Sequence, residues 1–337
     1  MIRLKDIAQQ LGVSAMTVSK ALRDEPDVSV ATKSKVKQLA ARLGYVPNAG
    51  ARSLRSKSTH MFGLIIPSMS NPLFARVVMA LEERTHEMGW EIIIAQSLNS
   101  VEREEKCIRR LLSRCVNGLF LSPVYRIEAH APIYEELRRK RTPVVILGHR
   151  ALFCERFSNV ETDDIAASRA TTHHLLSLGH RKIACLIGPP NAPWAQERFE
   201  GYRQAMGEAG IPLDDQLIFQ AGSTIEEGAA AALEMINEST RATAIQSTND
   251  LVAIGAANTF LAQGIQIPRD LSIAGFGNIL TSEHYRVPLT TVRQPKYRQG
   301  IAAMETMQHL LEGGSNVLKR LSSELIIRQS TGPVPRP

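Results

Sequence analysis

Residues 4–22 read LKDIAQQLGVSAMTVSKAL, and this stretch decides the fold of the N-terminal part of the chain. Its apolar residues recur at the three- and four-residue intervals that are typical of two short helices. Gly12 and Val13 separate these helices, and Ser14 is placed to cap the second one. The spacing therefore predicts a helix-turn-helix.

A third helix is predicted to follow. Ser29 is suited to cap it, its apolar side runs through Val36 and Leu39, and Gly44 supplies a C-terminal stop. We therefore expect residues 1–46 to fold as an all-α head.

The positive charge of the chain is concentrated in the same region. The 337 residues have a formal net charge of +7, and residues 1–57 hold eleven lysine and arginine residues against four acidic ones. The remaining residues carry 29 basic and 29 acidic side chains. A basic segment on a neutral body suits contact with DNA phosphates, because lysine and arginine release condensed counterions there.

The second helix of a helix-turn-helix enters the major groove of double-stranded DNA. Lys20 can donate to guanine, Met16 can contact a thymine methyl group, and the hydroxyls of Thr17 and Ser19 suit phosphate. A solvent-facing helix surface is the alternative role. The residues predicted to contact DNA are Leu4, Ser14, Ala15, Met16, Thr17, Ser19, Lys20 and Ser29 in the head, and Asn48, Ala51, Arg52 and Leu54 after it.

Residues 47–59 are predicted to form a hinge. Asn48 can cap a helix of about two turns, which is marginal alone, and Gly50 weakens it by about 1 kcal/mol. We expect this helix to form only on DNA, with Leu54 wedged between base steps of the minor groove. A plain flexible linker is the alternative.

From Met61 onward, short apolar runs alternate with helical patterns, which predicts parallel α/β layers. Such sheets bind ligands beyond the carboxyl ends of their strands, so the helix-capping residues in 68–72 and 247–250 are candidate ligand contacts, although ordinary capping explains them equally well. The predicted helices are 74–88, 166–178, 197–209 and 251–262, and the predicted strands are 62–66, 91–95, 118–121, 144–147, 182–187, 244–246 and 271–274.

The four cysteines show no C-x-x-C spacing, which indicates a reduced, cytoplasmic compartment and no metal site or other cofactor. Cys107 and Cys115 are eight residues apart within a helical pattern, so we expect both to pack in a core. The chain begins without a signal-peptide pattern and contains no apolar run of about eighteen residues, so no membrane contact is expected.

These motifs, taken together and in order, resemble the LacI/GalR family of bacterial transcriptional regulators. The head and hinge carry the resemblance in residues 4–8, 12–14, 17–22 and 45–54, and the body carries it in residues 62–72, 159–163, 178–183, 198–202, 249–250, 273–276, 288–292 and 330–333. The resemblance implies repression through operator DNA under the control of a small-molecule effector, a sugar or sugar derivative. It also implies a homodimer and leaves a tetramer open. Whether the effector is an inducer or a corepressor is open as well.

The same resemblance implies the fold and the domain boundaries. A helix-turn-helix domain (1–46) and a hinge (47–59) precede a core (60–337) of two doubly wound lobes, with the α/β fold of periplasmic binding proteins. Lobe 1 comprises about 60–160 and 293–323, and lobe 2 about 161–292 and 324–337.

Carried over by position, the residues expected to contact the effector are Ser70, Asn71, Phe74, His149, Arg198, Asn249 and Gly277. Arg198 carries most weight, because a fixed guanidinium group can hold two ligand oxygens. Gly277 and His149 stand where many sugar-binding members have an aspartate, and Gly222 stands where a ring often stacks, which implies a wider and less acidic pocket.

Two further arginines influence the expected chemistry of the effector. With Arg198 in the cleft, and Arg126 and Arg150 expected near it, we expect a bulky or acidic effector. A sugar acid, a phosphorylated sugar or a glycoside would fit this description.

Three other functions are weighed against this one. The motifs of common enzyme classes, such as G-x-S-x-G, the P-loop and H-E-x-x-H, are absent from the sequence, so we do not expect an enzyme. A transport binding protein would need export and would not need a basic head. A regulator controlled by a protein partner remains open, with Gly222 and Gly277 then marking a degraded pocket.

Overall fold

The computed structural model describes residues 2–46 and 58–335 of the chain. The predicted hinge contacts Asn48, Ala51, Arg52 and Leu54 lie outside the described residues. The chain forms two compact units, which are the head, up to Thr59, and the body, from His60 onward.

The described part of the head, residues 2–46, contains three helices, as the sequence predicts. Gly12 ends the first with a left-handed backbone (φ 64°), which glycine adopts without strain. The hydroxyl oxygens of Ser14 and Ser29 accept hydrogen bonds from the backbone N–H groups of Thr17 (3.0 Å) and Thr32 (3.3 Å), so both predicted caps are confirmed. The helices are α1 Leu4–Leu11, α2 Ala15–Leu22 and α3 Val30–Arg42.

Each of these helices contributes one apolar side to a shared head core. Ile7 of α1, Val18 of α2 and Val36 of α3 are fully buried in it. Leu22 and Leu43 pack against this core and remain partly exposed. The head is therefore stabilised by a core of its own.

The body alternates strands and helices along the chain. Its helices are α4 Pro72–Glu87, α5 Val101–Ser113, α6 Pro132–Arg139, α7 Asp164–Ser177, α8 Pro193–Glu208, α9 Ile225–Asn237, α10 Asp250–Ala262, α11 Leu280–His284 and α12 Lys296–Leu311. Its strands are β1 Met61–Ile66, β2 Glu91–Gln96, β3 Gly118–Leu121, β4 Val144–Leu147, β5 Ser158–Thr162, β6 Ile183–Ile187, β7 Ile218–Gln220, β8 Ala244–Ser247, β9 Ser272–Phe276, β10 Thr290–Arg293, β11 Leu318–Leu321 and β12 Glu324–Ile326.

The strands form two six-stranded sheets, one in each lobe. The lobe 1 sheet has the order β11-β5-β4-β3-β1-β2 and is parallel throughout. The lobe 2 sheet has the order β12-β10-β9-β8-β6-β7, with β12 antiparallel to β10. The chain passes between the lobes after β5, after β10 and after β11. The predicted fold of two doubly wound α/β lobes is confirmed.

Helices cover both faces of each sheet. On β1, Phe62 and Leu64 pack against α4 and α12, whereas Ile65 packs against α5 and α6 on the other face. Because both faces are buried, parallel strands of this kind are continuous apolar runs in the sequence. This is why all seven predicted strands and all four predicted helices are present, with ends that differ by no more than four residues.

Two details differ from the sequence-based expectations. Strands β5, β7, β10, β11 and β12 were not predicted. Helix α5 ends at Ser113, and Cys115 follows it as an exposed residue with a φ of 55°, so the expectation that Cys115 packs in a core is wrong, whereas Cys107 is buried. Within residues 2–46 and 58–335, every helix is too short or too polar to cross a bilayer.

Candidate functional site

A cavity of about 340 Å³ lies between the two lobes, at the carboxyl ends of strands from both sheets. We call it the cleft. Of the seven residues predicted to contact an effector, the structure brings five together in its lining, which are Asn71, Phe74, His149, Arg198 and Asn249.

Asn71 and Asn249 are helix caps as well as lining residues. Oδ1 of Asn71 accepts a hydrogen bond from the backbone N–H of Leu73 (3.1 Å) at the start of α4, and Oδ1 of Asn249 accepts one from that of Val252 (2.8 Å) in α10. Nδ2 of Asn249 donates to the backbone oxygen of Ser223 (3.1 Å). Capping therefore fixes both amide groups at the edge of the cleft.

Arg198 lines the cleft from α8 and is fixed by four neighbours. Nε donates to Oδ2 of Asp164 (2.8 Å), and Nη1 donates to the backbone oxygen of Thr248 (2.7 Å). The guanidinium carbon lies 4.7 Å from the ring centre of Trp194 and 3.8 Å from that of Phe276. The carboxylate of Asp164 is fully buried beside Arg198 and compensates its charge. A guanidinium group has five N–H donors, so others remain for a ligand.

His149 of lobe 1 contacts lobe 2 at the edge of the cleft. Its Nε2 lies 3.1 Å from Oε2 of Glu197 on α8, which also accepts a hydrogen bond from Nη2 of Arg320 on β11 (2.7 Å). Burial lowers the pKa of His149, but the hydrogen bond to Glu197 and the negative charges of Asp164, Glu197 and Glu161 outweigh it, so the pKa is raised. The carboxylate of Glu197 thus stabilises the protonated form of His149 relative to a histidine in water.

Asp250 is the one carboxylic acid in the described lining. Its Oδ1 accepts from the hydroxyl of Thr291 (2.5 Å), and its Oδ2 accepts from the backbone N–H of Ile279 (2.9 Å). Burial raises the pKa of Asp250, although these hydrogen bonds and the nearby charge of Lys296 oppose the shift. Burial also lowers the pKa of Lys296 to about 8. The carboxyl group of Asp250 is thus occupied by neighbouring protein groups.

Ser70 and the two unusual glycines have other roles. The hydroxyl of Ser70 is hydrogen-bonded to that of Ser68 (2.7 Å), and neither Ser70 nor Gly277 belongs to the cleft lining. Gly277 has a φ of 132° and Gly222 a φ of 54°. A Cβ on Gly222 would lie 2.1 Å from the carboxyl carbon of Glu227. The backbone requires glycine at both positions, so neither glycine is evidence of a degraded pocket.

Arg126 and Arg150 do not line the cleft. Both line a neighbouring pocket of about 760 Å³, which we call the outer pocket. Arg126 is almost fully buried in an ion pair with the buried carboxylate of Glu104, and its guanidinium carbon lies 4.8 Å from the ring centre of Phe153. Both arginines thus lie near the cleft, while the basic residues in its described lining are Arg198 and His149.

Several lining residues were missed in the sequence. Nε2 of Gln294 donates to the hydroxyl of Thr162 (3.0 Å), whereas its Oε1 is buried without a hydrogen-bond partner among the described residues. Gln299 and Trp194 also line the cleft. Trp194 precedes Arg198 by one helical turn, and this spacing could have identified it. In the described part of the chain, no group of histidine, cysteine and acidic residues is placed to hold a metal ion.

Four of the predicted DNA contacts lie at the starts of the head helices. Ser14 and Ser29 are the caps of α2 and α3. Leu4 and Ala15 pack partly buried against the head core.

The other four predicted contacts within the described head lie on α2, and three of them, Thr17, Ser19 and Lys20, are half-buried. Met16 is 52% exposed. The ammonium group of Lys20 forms an ion pair with Asp27 and lowers the pKa of that carboxyl group. The hydroxyl of Ser19 accepts a hydrogen bond from Nη1 of Arg23 (2.7 Å). Two predicted readers of DNA therefore already have partners within the head.

Two protein-family models match the chain. One, described as bacterial regulatory proteins of the lacI family, matches residues 3–48, and the other, a periplasmic binding protein-like domain, matches residues 172–331. The transcriptional regulator DegA of Bacillus subtilis is 34% identical over 338 residues, with 98% of each chain covered. The transcriptional repressor CytR of Escherichia coli is 31% identical over 335 residues, with 98% of this chain and 97% of CytR covered.

Solved structures match over the same length. The lac repressor dimer bound to operator and the anti-inducer ONPF superposes with a TM-score of 0.89 at 25% identity, covering 98% of this chain and 99% of the repressor. A complex of the transcriptional regulator CelR with cellobiose gives a TM-score of 0.75 at 27% identity, covering 98% of this chain and all of CelR. The similarity therefore spans the head and the body together.

Proposed function

Because this chain belongs to the LacI family of bacterial transcriptional regulators, we propose that a neutral small molecule bound in its cleft controls how tightly its head binds operator DNA. The chain is a DNA-binding transcriptional regulator with a periplasmic-binding-protein-like core. The charges around the cleft indicate what kind of effector this core accepts.

The proposal that the effector is neutral rests on the ionisable groups that line the cleft. The ionisable groups in the described lining are Tyr125, His149, Arg198 and Asp250, and each has a partner within the protein. Glu197 compensates His149, and Asp164 compensates Arg198. A charged ligand would need a free opposite charge to offset the loss of its hydration, and the described lining offers none.

The remaining lining groups suit a polyhydroxylated ligand. The amide groups of Asn71, Asn249 and Gln294 can each donate to and accept from hydroxyl groups, and the buried Oε1 of Gln294 needs a donor. The rings of Phe74 and Trp194 can pack against the apolar face of a sugar ring. Matched solved structures include regulators with bound cellobiose and with bound ribose. We therefore favour a neutral sugar or sugar derivative over the acidic effector considered above.

The head supplies the proposed contacts to DNA. Met16 and Lys20 face base edges in the major groove, while Thr17 and Ser19 face phosphates. Lys20 must leave Asp27 to reach a base. The remaining proposed contacts are Leu4, Ser14, Ala15 and Ser29, together with Asn48, Ala51, Arg52 and Leu54 outside the described residues.

We propose that control operates by linkage between the cleft and the head in a cytoplasmic homodimer. The effector contacts both lobes, so it favours the arrangement in which the lobes are closed on it. That arrangement changes the separation at which a dimer holds its two heads, and hence its affinity for DNA. The coupling works in either direction, so the same cleft serves an inducer or a corepressor.

Isothermal titration calorimetry with matched neutral and acidic sugars tests the proposal. The probes are glucose with its acidic counterparts gluconate and glucose 6-phosphate, and ribose with its acidic counterpart ribose 5-phosphate. We expect the full chain to bind glucose or ribose, the neutral sugars. Gln294→Leu should weaken this binding about tenfold by removing a hydrogen-bond acceptor, whereas Gln308→Leu on the exposed side of α12 should not. Binding of the acidic sugars alone would contradict the proposal, and binding of no sugar at all would favour control by a protein partner.

A further inference from the structure

The outer pocket lies directly against the cleft, although nothing in the established activity assigns it a role. Tyr125 and His149 line the cleft, while their neighbours Arg126 and Arg150 line the outer pocket. Asn191 lines both, and its Nδ2 donates to the backbone oxygen of Tyr125 (3.0 Å). A ligand that extends out of the cleft past Asn191 would therefore enter the outer pocket.

Both lobes build this pocket. Lobe 1 contributes the segments after β3 and β4, including Arg126 and Arg150, and lobe 2 contributes Pro190, Pro193 and Gln196 at the start of α8. A group bound here would touch both lobes, as a ligand in the cleft does. Occupying the outer pocket would thus add to the preference for the arrangement of the lobes seen here.

The lining of the outer pocket combines apolar and hydrogen-bonding groups. Ile127 is 90% exposed and Leu152 is 68% exposed, and both line this pocket. Exposed apolar side chains that are grouped at one pocket indicate a binding site, whereas exposed apolar side chains scattered singly over a surface do not. Gln196, Arg150 and Arg156 add polar groups that can bond to hydroxyls.

The charges of the outer pocket balance. Arg126 is compensated by Glu104, which is fully buried. The other charged lining residues are two arginines and two glutamates, which are Arg150, Arg156, Glu128 and Glu155. A neutral group with an apolar face and several hydroxyls suits such a lining better than an anion does.

We propose that the outer pocket is a second subsite for the effector, and that the effector is a neutral glycoside or oligosaccharide with one unit in the cleft and the next in the outer pocket. This inference rests on the proposed function, because it takes the cleft as the site of the first unit. The cleft, at about 340 Å³, lies near the lower end of the volumes that hold ligands, roughly 300–1,000 Å³, and the outer pocket, at about 760 Å³, lies well within them.

Calorimetry with matched sugars of one and two units tests the subsite. The probes are glucose with cellobiose and maltose, galactose with lactose, and xylose with xylobiose. For the pair that binds, we expect the disaccharide to bind about tenfold more tightly than its monosaccharide. The double variant Ile127→Ser/Leu152→Ser should remove most of this difference in affinity between the two sugars. Its affinity for the monosaccharide should stay unchanged, and this binding also shows that the variant is folded.

Leu213→Ser is the matched control, because Leu213 is 41% exposed in the body and does not line either cavity. It should leave the affinities for both sugars unchanged. Equal affinity for the two sugars in the wild-type chain, or a double variant that weakens both sugars alike, would overturn the subsite while leaving the cleft as the effector site. Binding of no neutral sugar would overturn the proposed function and the subsite together.

Discussion

Nε2 of His149 lies 3.1 Å from Oε2 of Glu197, and this contact joins lobe 1 to lobe 2 beside the cleft. Arg320 of lobe 1 reaches the same carboxylate oxygen at 2.7 Å. Glu197 is therefore held by two basic side chains of the opposite lobe. Because these groups pair only when the lobes are close, their charge state contributes to the preference for the closed arrangement.

We expect the stabilisation from His149 to decline as the pH rises. The pKa of His149 is raised in the folded chain, so its contribution is complete below its unfolded pKa of about 6.5 and is lost as the pH passes through the higher folded value. The difference in Tm between the wild-type chain and His149→Gln should therefore be larger at about pH 6 than at about pH 9. His173→Gln, at an exposed contact to Glu208, is the control and should change Tm little at either pH. A Tm difference for His149→Gln that grows with pH would contradict this assignment.

A second prediction concerns two glycines of α8, the helix that carries Glu197 and Arg198. A Cβ on Gly201 would lie 2.4 Å from the backbone oxygen of Ile165 on α7, whereas one on Gly207 would meet no atom within 4 Å. Gly201→Ala should lower the free energy of unfolding by about 1–3 kcal/mol, because backbone must move. Gly207→Ala should raise it by about 0.4–1 kcal/mol, because alanine restricts the unfolded chain. Urea denaturation of both variants measures this, and similar effects for the two would show that α7 and α8 are not packed as described.

Asp164 is predicted to stabilise the body as well as to position Arg198. Asp164→Asn leaves the nearly buried guanidinium of Arg198 without its counter-charge, which should cost about 3 kcal/mol of unfolding free energy. Glu200→Gln breaks an exposed ion pair with Arg203 on the same helix and should cost about 1 kcal/mol or less. Equal small losses in urea denaturation would mean that the Asp164–Arg198 pair is not buried in solution.

The head should show a competition between Asp27 and DNA for Lys20. Asp27→Asn releases Lys20 and removes a negative charge, so DNA affinity at low salt should rise by a factor of about 3–10. Lys20→Met should lower affinity and relax the preference at the base pair that Lys20 reads by about 1–3 kcal/mol. Fluorescence anisotropy with an in-vitro-selected duplex and single-base variants of it gives both values. Unchanged preference at every base pair in Lys20→Met would exclude Lys20 as a base reader.

The predictable part of the fold is the part that local sequence determines. Strand β4, Val144–Leu147, has the predicted ends because four consecutive apolar residues buried on both faces form an unmistakable run. Strand β5 was missed because Ser158, Asn159 and Glu161 are polar, although all are buried. Their burial depends on partners such as the hydrogen bond from Nδ2 of Asn159 to Glu161 (2.7 Å), which no periodicity reveals.

The cleft was predictable where a residue has a local role. Asn71 and Asn249 were candidates because helix capping leaves a sequence signal, and the family resemblance then assigned them to the cleft. Gln294 was missed because it follows a strand that was itself missed. Arg126 lies near the cleft, but its ion pair with Glu104, 22 residues earlier in the chain, places it in the lining of the outer pocket. Long-range pairing of this kind has no local sequence signal.

The most direct test of control through the cleft is the affinity of the full chain for an in-vitro-selected DNA duplex, with and without a saturating neutral sugar identified by calorimetry. Fluorescence anisotropy should show that the saturating sugar changes the Kd of the wild-type chain for DNA by about tenfold or more, and that Gln294→Leu needs about ten times more sugar for the same change. A wild-type Kd that stays the same while calorimetry shows the sugar bound in the cleft would contradict control of the head by an effector.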